Sequence, residues 1–590
     1  MRRFSDKHNF ASFLDDRLTI LSIVIFLCSA VIFLRLLQLQ VFQHERYSLR
    51  AEDQHVVQKQ LDPNRGSIYI HDYQASQTEI YPVAINKKFY EVFAVPDLIK
   101  NPVMSAKLLA PVLELEAEEE KSLAARLSKE KDIYEPIKRK IEEDKKKEIE
   151  ALALPGIKFN EEIFRYYPEG ENIAQVTGFV GFKGDNLVGQ YGLEEYFQKP
   201  LAGEKGFFTF ERDASGRLIP LARRVKAEQE NGADLVLTLD RSIQFTACNS
   251  LKQSVQKYGA EDGSVIIMDP KTGAILAMCG YPSFDPNNYN SAPDYKVYNN
   301  YNVSEPYEPG SMLKGITMAA AVDVGAVTPA TTYDDTGSVE IAGYTLRNSD
   351  LKAHGIKNMT QVLEESLNTG AIFAAQQIGL KLFRDYFERF GFGQKTGIQL
   401  VNEKPGNISS LKKPGEIFLY TASYGQGITA TPLQIVAAFA AIANGGKLMK
   451  PYVVDEVRYA NGKIDKTEPQ FIRQVISSKT ATTLSAMLAS VVKSGHTKGA
   501  QIPGYYIAGK TGTAEVAEPG KAGYSADKTI HSFIGFAPIE DPKFVMLVKL
   551  NHPKDVRFAE STAVPVFGEI AQFLLNYLHV PPSYGVNENP

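Results

Sequence analysis

Tyr307-Glu-Pro-Gly-Ser-Met-Leu-Lys314 is the stretch on which the reading of this 590-residue chain turns. After Pro309-Gly310, the apolar positions Met312, Ile316, Ala319 and Ala320 recur at helical spacing as far as Gly325, which predicts a helix carrying Ser311 in its first turn. There a hydroxyl oxygen sits near unpaired backbone N–H groups and the positive end of the helix dipole, both of which favour developing negative charge. Lys314, three residues on, shares the face and is within reach of that hydroxyl. A serine attacks only when a base takes its proton, and an ammonium cannot do so, which requires Lys314 to be neutral at that moment. Burial and a second cation both lower a lysine pKa, and Lys510 is the candidate cation.

Taken alone, Ser-x-x-Lys carries little, because the pattern recurs, among other places, at Ser128, Ser349, Ser409, Ser410, Ser490 and Ser525, and cap serines are abundant. Two further strings change its weight. Ser366-Leu-Asn368 is the only Ser-x-Asn in the chain; it lies between the short amphipathic stretch 361–365 and an Ala-rich helix beginning at Ala371, where it reads either as a capping loop or as a proton relay and amide clamp. Lys510-Thr-Gly-Thr513 follows the apolar run 505–508, and the runs 531–538 and 544–550 read as further strands. An edge strand with a lysine, two threonines and a glycine suits backbone pairing with an extended peptide and capture of its carboxylate. The other Lys-Thr-Gly matches have plainer readings: that at Lys271 lies between the apolar runs 263–268 and 274–278 as a hairpin turn would.

The three strings in this order resemble the signature of serine acyltransferases of the penicillin-binding and β-lactamase type. Residues 230–578 resemble the transpeptidase domain of a class B, monofunctional penicillin-binding protein, through the block at 307–314, Pro282-Ser-Phe-Asp-Pro-Asn287 before it, and Tyr424-Gly-Gln-Gly-Ile-Thr-Ala-Thr-Pro-Leu-Gln434 after it. The helix that follows is legible unaided, with Thr431 as N-cap, Pro432 in its first turn and Asn444-Gly445-Gly446 as its stop. Upstream, Arg65-Gly-Ser-Ile68, Arg165-Tyr-Tyr-Pro168 and Gly192-Leu-Glu194 resemble motifs of that family's non-catalytic pedestal, although Tyr69-Ile-His-Asp-Tyr73 departs from the usual Asp-Arg-Asn-Gly. Ser366-Leu-Asn-Thr-Gly370, Phe390-Gly-Phe-Gly393 and Thr396-Gly-Ile398 resemble division-type rather than elongation-type members.

The resemblance implies an α+β fold, a mostly antiparallel sheet flanked by helices like that of serine β-lactamases, behind an N-terminal pedestal and one transmembrane helix. It implies cross-linking of peptidoglycan stem peptides as donor and acceptor: Ser311 attacks the D-Ala-D-Ala bond, Lys314 is the acylation base, Ser366 relays the proton and Asn368 orients substrate. Lys510 with Thr511, Gly512 and Thr513 holds the carboxylate, the N–H groups of Ser311 and Thr513 form an oxyanion hole worth about 3 kcal/mol per donor, and β-lactams acylate Ser311 as mimics of the dipeptide. Rival functions are a D,D-carboxypeptidase or β-lactamase, in which water takes the acyl group, and a wall-synthesis scaffold or β-lactam sensor that does not turn over. No cofactor is implied, and the nine histidines show no metal-ligand spacing.

Composition agrees with several globular domains: 44% hydrophobic, 23% charged and a net charge of −4, which gives no argument for nucleic acid. The three cysteines, Cys28, Cys248 and Cys279, offer no disulfide framework, and a Cys248–Cys279 bond is not expected. Residues 18–34 are free of charge between Arg17 and Arg35; at ~1.5 Å per residue they reach about 26 Å, and the apolar face continues to Phe42. Long side chains follow instead of a small-residue cleavage site, which favours an uncleaved anchor over a signal peptide. The expected organisation is a cytoplasmic tail (1–17), an anchor (18–42), a pedestal (43–224) with solvent-exposed helices over 121–150, the transpeptidase domain (230–578) outside the cytoplasmic membrane, and a disordered tail (580–590). With no polymerase domain recognisable, the expected partners are a polytopic membrane glycan polymerase and septum proteins.

Overall fold

The computed structural model describes residues 17–47, 56–73, 79–184, 186–212, 218–517 and 523–585. It falls into two compact units. One comprises the N-terminal segment to Pro63 with Gly203–Asn231. It contains the apolar helix, an α-helix from Arg17 to Leu37 running into a wider turn at Gln38–Phe42, with none of its span buried. It also contains a three-stranded antiparallel sheet of Val56–Leu61, Gly206–Arg212 and Leu218–Ala227. The expected cytoplasmic tail lies outside the described residues except for Arg17.

The second unit holds Asn64–Ala202 and Gly232–Pro590, so the expected pedestal 43–224 is split between the two units. Its first sheet is seven-stranded, built on the long strand Ile80–Ala94. Strand Asp234–Asp240, expected at the start of the catalytic domain, runs parallel to Ile68–His71 on one side and antiparallel to Val454–Arg458 on the other. The pedestal segment and the catalytic segment therefore share one hydrogen-bonded sheet. The three pedestal motifs meet beside it. Arg65 Nε and Arg165 Nε donate to the two oxygens of Glu194 at 2.6 and 2.7 Å, and Glu194 is fully buried. Burial pushes this carboxyl up, but Arg165 and Arg65 outweigh it and hold it below the ordinary glutamate value.

Three expectations are corrected here. The stretch 121–150 is not all helix: between helices Ala117–Leu127 and Glu143–Ala151, strand Glu135–Ile141 pairs with Ile80–Ala94, burying Glu135 and Ile141 at its ends. Charge density there hid an edge strand. Cys248 and Cys279 are bonded, with Cα atoms 5.4 Å apart. Their separation of 31 residues gave no local signal; the pairing follows from helix Arg241–Lys257 docking on the strand Ile275–Tyr281. There Gln244 exchanges two hydrogen bonds with the backbone of Met278, placing Cys248 one turn on, opposite Cys279. The tail is ordered through Tyr584: Val580 is buried, Ser583 N–H donates to Gly504 O at 2.7 Å, and the Tyr584 and Tyr506 rings meet at 4.9 Å. Residues 586–590 lie outside the described residues.

The catalytic segment is organised by a five-stranded antiparallel sheet: β1 (Asp262–Met268), β2 (Ile275–Tyr281), β3 (Ala508–Ala517), β4 (Tyr524–Ala537) and β5 (Phe544–Asn551), in the order β2-β1-β5-β4-β3. Alternation divides its two faces. Val265, Ile267, Phe533 and Val548 pack with helices Arg241–Lys257 and Ala563–Tyr577, while Ile266, Met278, Ile534 and Leu547 pack with the helical layer of Leu313–Asp323 and Pro432–Ala443. The latter helix starts as its sequence predicts, with a reciprocal cap between Thr431 and Gln434. The expected strand 505–508 is displaced: Tyr505 closes a turn on Ile502 after Pro503-Gly504, and pairing begins at Ala508.

Removing the carboxylate of Glu194 leaves two buried guanidinium groups without their anion. Glu194→Ala is expected to cost about 3–5 kcal/mol of stability. Urea unfolding of the variant against the wild-type chain measures it.

Candidate active site

Ser311 sits in a tight turn, Gly310–Met312, that leads directly into helix Leu313–Asp323. The turn is wedged between two backbones. On one side Gly310 N–H donates to Gly425 O at 3.2 Å, and a Cβ on Gly425 would lie 2.2 Å from Gly310 O, so only glycine fits there. This is the structural use of the Tyr424-Gly-Gln-Gly427 segment. On the other side is the edge strand β3, where a Cβ on Gly512 would meet Ser532 Oγ at 2.6 Å and Pro309 O at 2.7 Å. The two strings read from the sequence, 307–314 and 510–513, are thus in backbone contact.

The first helical turn points Lys314 inward. Its side chain and that of Lys510 are each 1% exposed, which is rare for lysines unless they are paired. Both converge on Ser366: Lys314 Nζ lies 3.2 Å and Lys510 Nζ 2.9 Å from Ser366 Oγ, and Lys314 also donates to the Ser366 carbonyl. Burial, and after it the charge of Lys510, push Lys314 well below the ordinary lysine value. Burial lowers Lys510 to about 8, with Glu560 acting in the opposite sense. The arrangement therefore accommodates one ammonium and one neutral amine on either side of a hydroxyl that can accept from the first and donate to the second.

Ser366 holds this position with φ of 56°, a left-handed conformation costing about 1–3 kcal/mol for a residue with a Cβ. The residues around it supply the restraint. Asn368 N–H donates to Asn348 Oδ1 at 2.9 Å and its side chain donates to Arg347 O at 2.8 Å. Thr369 Oγ1 donates to Asp335 Oδ1 at 2.7 Å, and Asn348 Nδ2 to Asp335 Oδ2 at 2.8 Å. Asp335 and Asn348 are buried, 31 and 18 residues before Ser366, and nothing in the sequence singles them out.

All of the candidate residues are thus brought to one place, with different commitments. Lys314, Ser366 and Lys510 share hydrogen bonds, and the turn of Ser311 lies against the strand that carries Lys510. Asn368 is turned to a backbone carbonyl, Thr511 Oγ1 lies 3.4 Å from Lys510 Nζ, and Thr513 Oγ1 accepts from Ala559 N–H at 3.3 Å. The backbone of Thr513 faces the turn of Ser311, its carbonyl 3.2 Å from a Cβ built on Gly310. Glu560, whose charge opposes the lowering of Lys510, was missed in sequence because it lies in a loop 50 residues beyond its partner. Among the described residues, no group of histidine, cysteine and acidic side chains is arranged to hold a metal.

Residues 263–572 match the penicillin binding protein transpeptidase domain, and residues 60–237 match the penicillin-binding protein dimerisation domain. The second match ends within the strand Asp234–Asp240 that the two segments share. Stage V sporulation protein D of Bacillus subtilis is 36% identical over 95% of this chain and 85% of its own length. Peptidoglycan D,D-transpeptidase FtsI of Escherichia coli is 28% identical over 97% and 93%. Among solved structures, penicillin binding protein 3 of Mycobacterium tuberculosis complexed with aztreonam superposes with a TM-score of 0.69 at 25% identity, covering 90% of this chain and 99% of that one. The motifs, the shared pedestal sheet and these matches agree: the chain belongs to the class B penicillin-binding proteins, on the division-type side of the family.

Proposed function

We propose that this protein cross-links peptidoglycan stem peptides, with Ser311 as the acylated nucleophile. The observation that carries the reading is the convergence of two buried lysines on Ser366 Oγ beside the Ser311 turn. Lys314, neutral, takes the proton from Ser311 Oγ as that oxygen attacks the carbonyl of the penultimate D-alanine. The N–H groups of Ser311 and Thr513 receive the oxyanion, and donors of this kind are worth about 3 kcal/mol each. Ser366 passes the proton to the departing D-alanine, and an amine of a neighbouring stem then displaces Ser311 from the acyl group. Lys510, charged, with Thr511 and Thr513 holds the terminal carboxylate while the backbone of β3 pairs with the extended peptide. Asn368 orients the amide of the donor stem.

The same reading places the protein in the cytoplasmic membrane by one span, with the catalytic segment outside. Two features support it: the unburied helix over Arg17–Phe42, and the Cys248–Cys279 bond, of a type that persists in oxidising compartments. A membrane glycan polymerase and septum proteins are its proposed partners, since stem peptides must be cross-linked where strands are laid down. The likeness to stage V sporulation protein D favours a second setting for this chemistry, in sporulation. Depletion in the source cell separates the two, by blocked septa in growing cells or by a defect confined to sporulation.

Intact-mass measurement of the full-length chain in detergent after exposure to a penicillin tests the nucleophile. One adduct is expected, absent in Ser311→Ala; an adduct that survives in Ser311→Ala would place the acyl group elsewhere. With stem-peptide substrates, cross-linked dimers are the expected product, and trimmed monomers alone would favour hydrolysis.

The acylation rate is expected to rise with pH as the depressed Lys314 loses its proton, and to fall again near pH 8 as Lys510 loses the charge that holds the carboxylate. Lys510→Arg, which stays protonated, is expected to remove the falling limb. A falling limb unchanged in that variant would assign it to another group.

A further inference from the structure

One buried lysine has no part in this chemistry. Lys549 lies in the middle of β5 with 2% of its side chain exposed. Cross-strand pairing sets it in a row that runs through all five strands on one face: Gly512 of β3, Ser532 of β4, Lys549 of β5, Ser264 of β1 and Gly280 of β2. The neighbouring row, Lys510, Ile534, Leu547, Ile266 and Met278, is apolar apart from its catalytic lysine. A seam of small and polar residues therefore starts at the active-site edge and crosses the sheet beneath segment 300–309. Ser264 Oγ and Asn302 Oδ1, both buried around this seam, have no protein hydrogen-bond partner among the described residues, and the Tyr307 hydroxyl meets the Ser532 side chain.

A lysine here is costly. Burial lowers its pKa, with Glu305 and Asp262 restoring part of the charge preference, and a methionine of similar length would pack at less expense. Besides Asp262 on β1, its neighbours lie in the segment that precedes Ser311. The ammonium is 3.9 Å from Glu305 Oε2 and 4.7 Å from the centroid of the Tyr307 ring, a cation–π contact in a site shielded from solvent. The backbone of Tyr307 exchanges hydrogen bonds with Ala430 at 3.0 and 2.9 Å, which leaves the ring side of the segment to be held by Lys549. Two residues further on, Pro309 O abuts Gly512, whose carbonyl accepts from Ser532 Oγ at 3.2 Å, and Ser532 is the strand neighbour of Lys549.

We propose that Lys549 is a positioning residue for acyl transfer: its buried ammonium, held between Glu305 and the Tyr307 ring, fixes the segment that presents Ser311 against Gly512 of the edge strand. This rests on the assignment of Ser311 as the nucleophile. Glu305 and Tyr307 precede Ser311 by six and four residues. A shift there moves the hydroxyl relative to the N–H of Thr513, and small displacements of this kind change the chemical step more than ground-state binding.

The test is acylation of the full-length chain in detergent by a penicillin, resolved into the saturating rate constant and the half-saturating concentration, alongside thermal unfolding. Lys549→Met keeps the length and removes the charge. It is expected to lower the saturating rate at least tenfold, with the half-saturating concentration within threefold of wild type and cooperative unfolding retained. A saturating rate within twofold of wild type in the folded variant overturns the proposal, as does a loss no larger than the loss of folded protein. If Lys549→Met does not fold, Glu305→Gln decides: a three- to tenfold fall in the saturating rate supports the clamp, and an unchanged rate overturns it. Wild-type protein that takes no adduct at Ser311 would refute the nucleophile assignment and the proposal together, whereas an acylated wild type with an equally fast Lys549→Met refutes the role of Lys549 alone.

Discussion

Two lysine nitrogens held 3.2 and 2.9 Å from one hydroxyl oxygen can be no more than about 6 Å apart, and both are out of water. At an effective dielectric of about 20, two positive charges at that distance repel by roughly 3 kcal/mol, in addition to the cost of burying each. The pair is therefore relieved by losing one proton; burial and the charge of Lys510 lower Lys314, while Glu560 favours the charge on Lys510. The rest of the catalytic segment serves to hold this unfavourable pair together. The left-handed Ser366, the buried Asp335–Asn348–Thr369 network behind it, and the glycine cradle at Gly425 are all means of preventing the site from relaxing.

What could be read from the sequence follows the range of the interactions. The turn and helix after Pro309-Gly310, the reciprocal cap at Thr431 and the glycine stop at Gly445-Gly446 are local, and they appear where spacing and capping chemistry predict. The three strings that identify the family were legible because each is contiguous and their order is a pattern. What stayed hidden is long-range. The Cys248–Cys279 bond depends on a helix docking on a strand through Gln244. The strand at 135–141 depends on Ile80–Ala94 offering it a partner against the helical leaning of its charged neighbours. Asp335, Asn348 and Glu560 are ordinary polar residues in sequence, and only the fold brings them to the site.

The shared sheet also changes how the pedestal motifs are understood. Arg65, Arg165 and Glu194 lie far from Ser311 in sequence, yet the segments that carry them are tied to the same hydrogen-bonded sheet as Asp234–Asp240 and Val454–Arg458. A buried carboxylate with two guanidinium partners gives little net stability for its desolvation, but its geometry is demanding, because breaking any one bond strands a charge. Such a cluster specifies one arrangement of the segment 64–202 against the strands that follow it.

The edge position of β3 completes the argument from physics to use. An edge strand exposes unpaired backbone groups and invites association, so proteins ordinarily blunt or cover it. Here the strand bears Lys510-Thr-Gly-Thr513, ends a five-stranded sheet, and has its inner face packed against the turn of Ser311. On the proposed function, covering it would remove the strand with which the donor peptide is to pair. What surrounds the edge restricts it: Lys510 is buried beside Ser366, and Gly512 leaves no room for a side chain between Pro309 and Ser532. On the proposed function, an edge that would be an aggregation hazard in another protein serves as the substrate's docking strand, with Lys510 and Thr511 themselves buried.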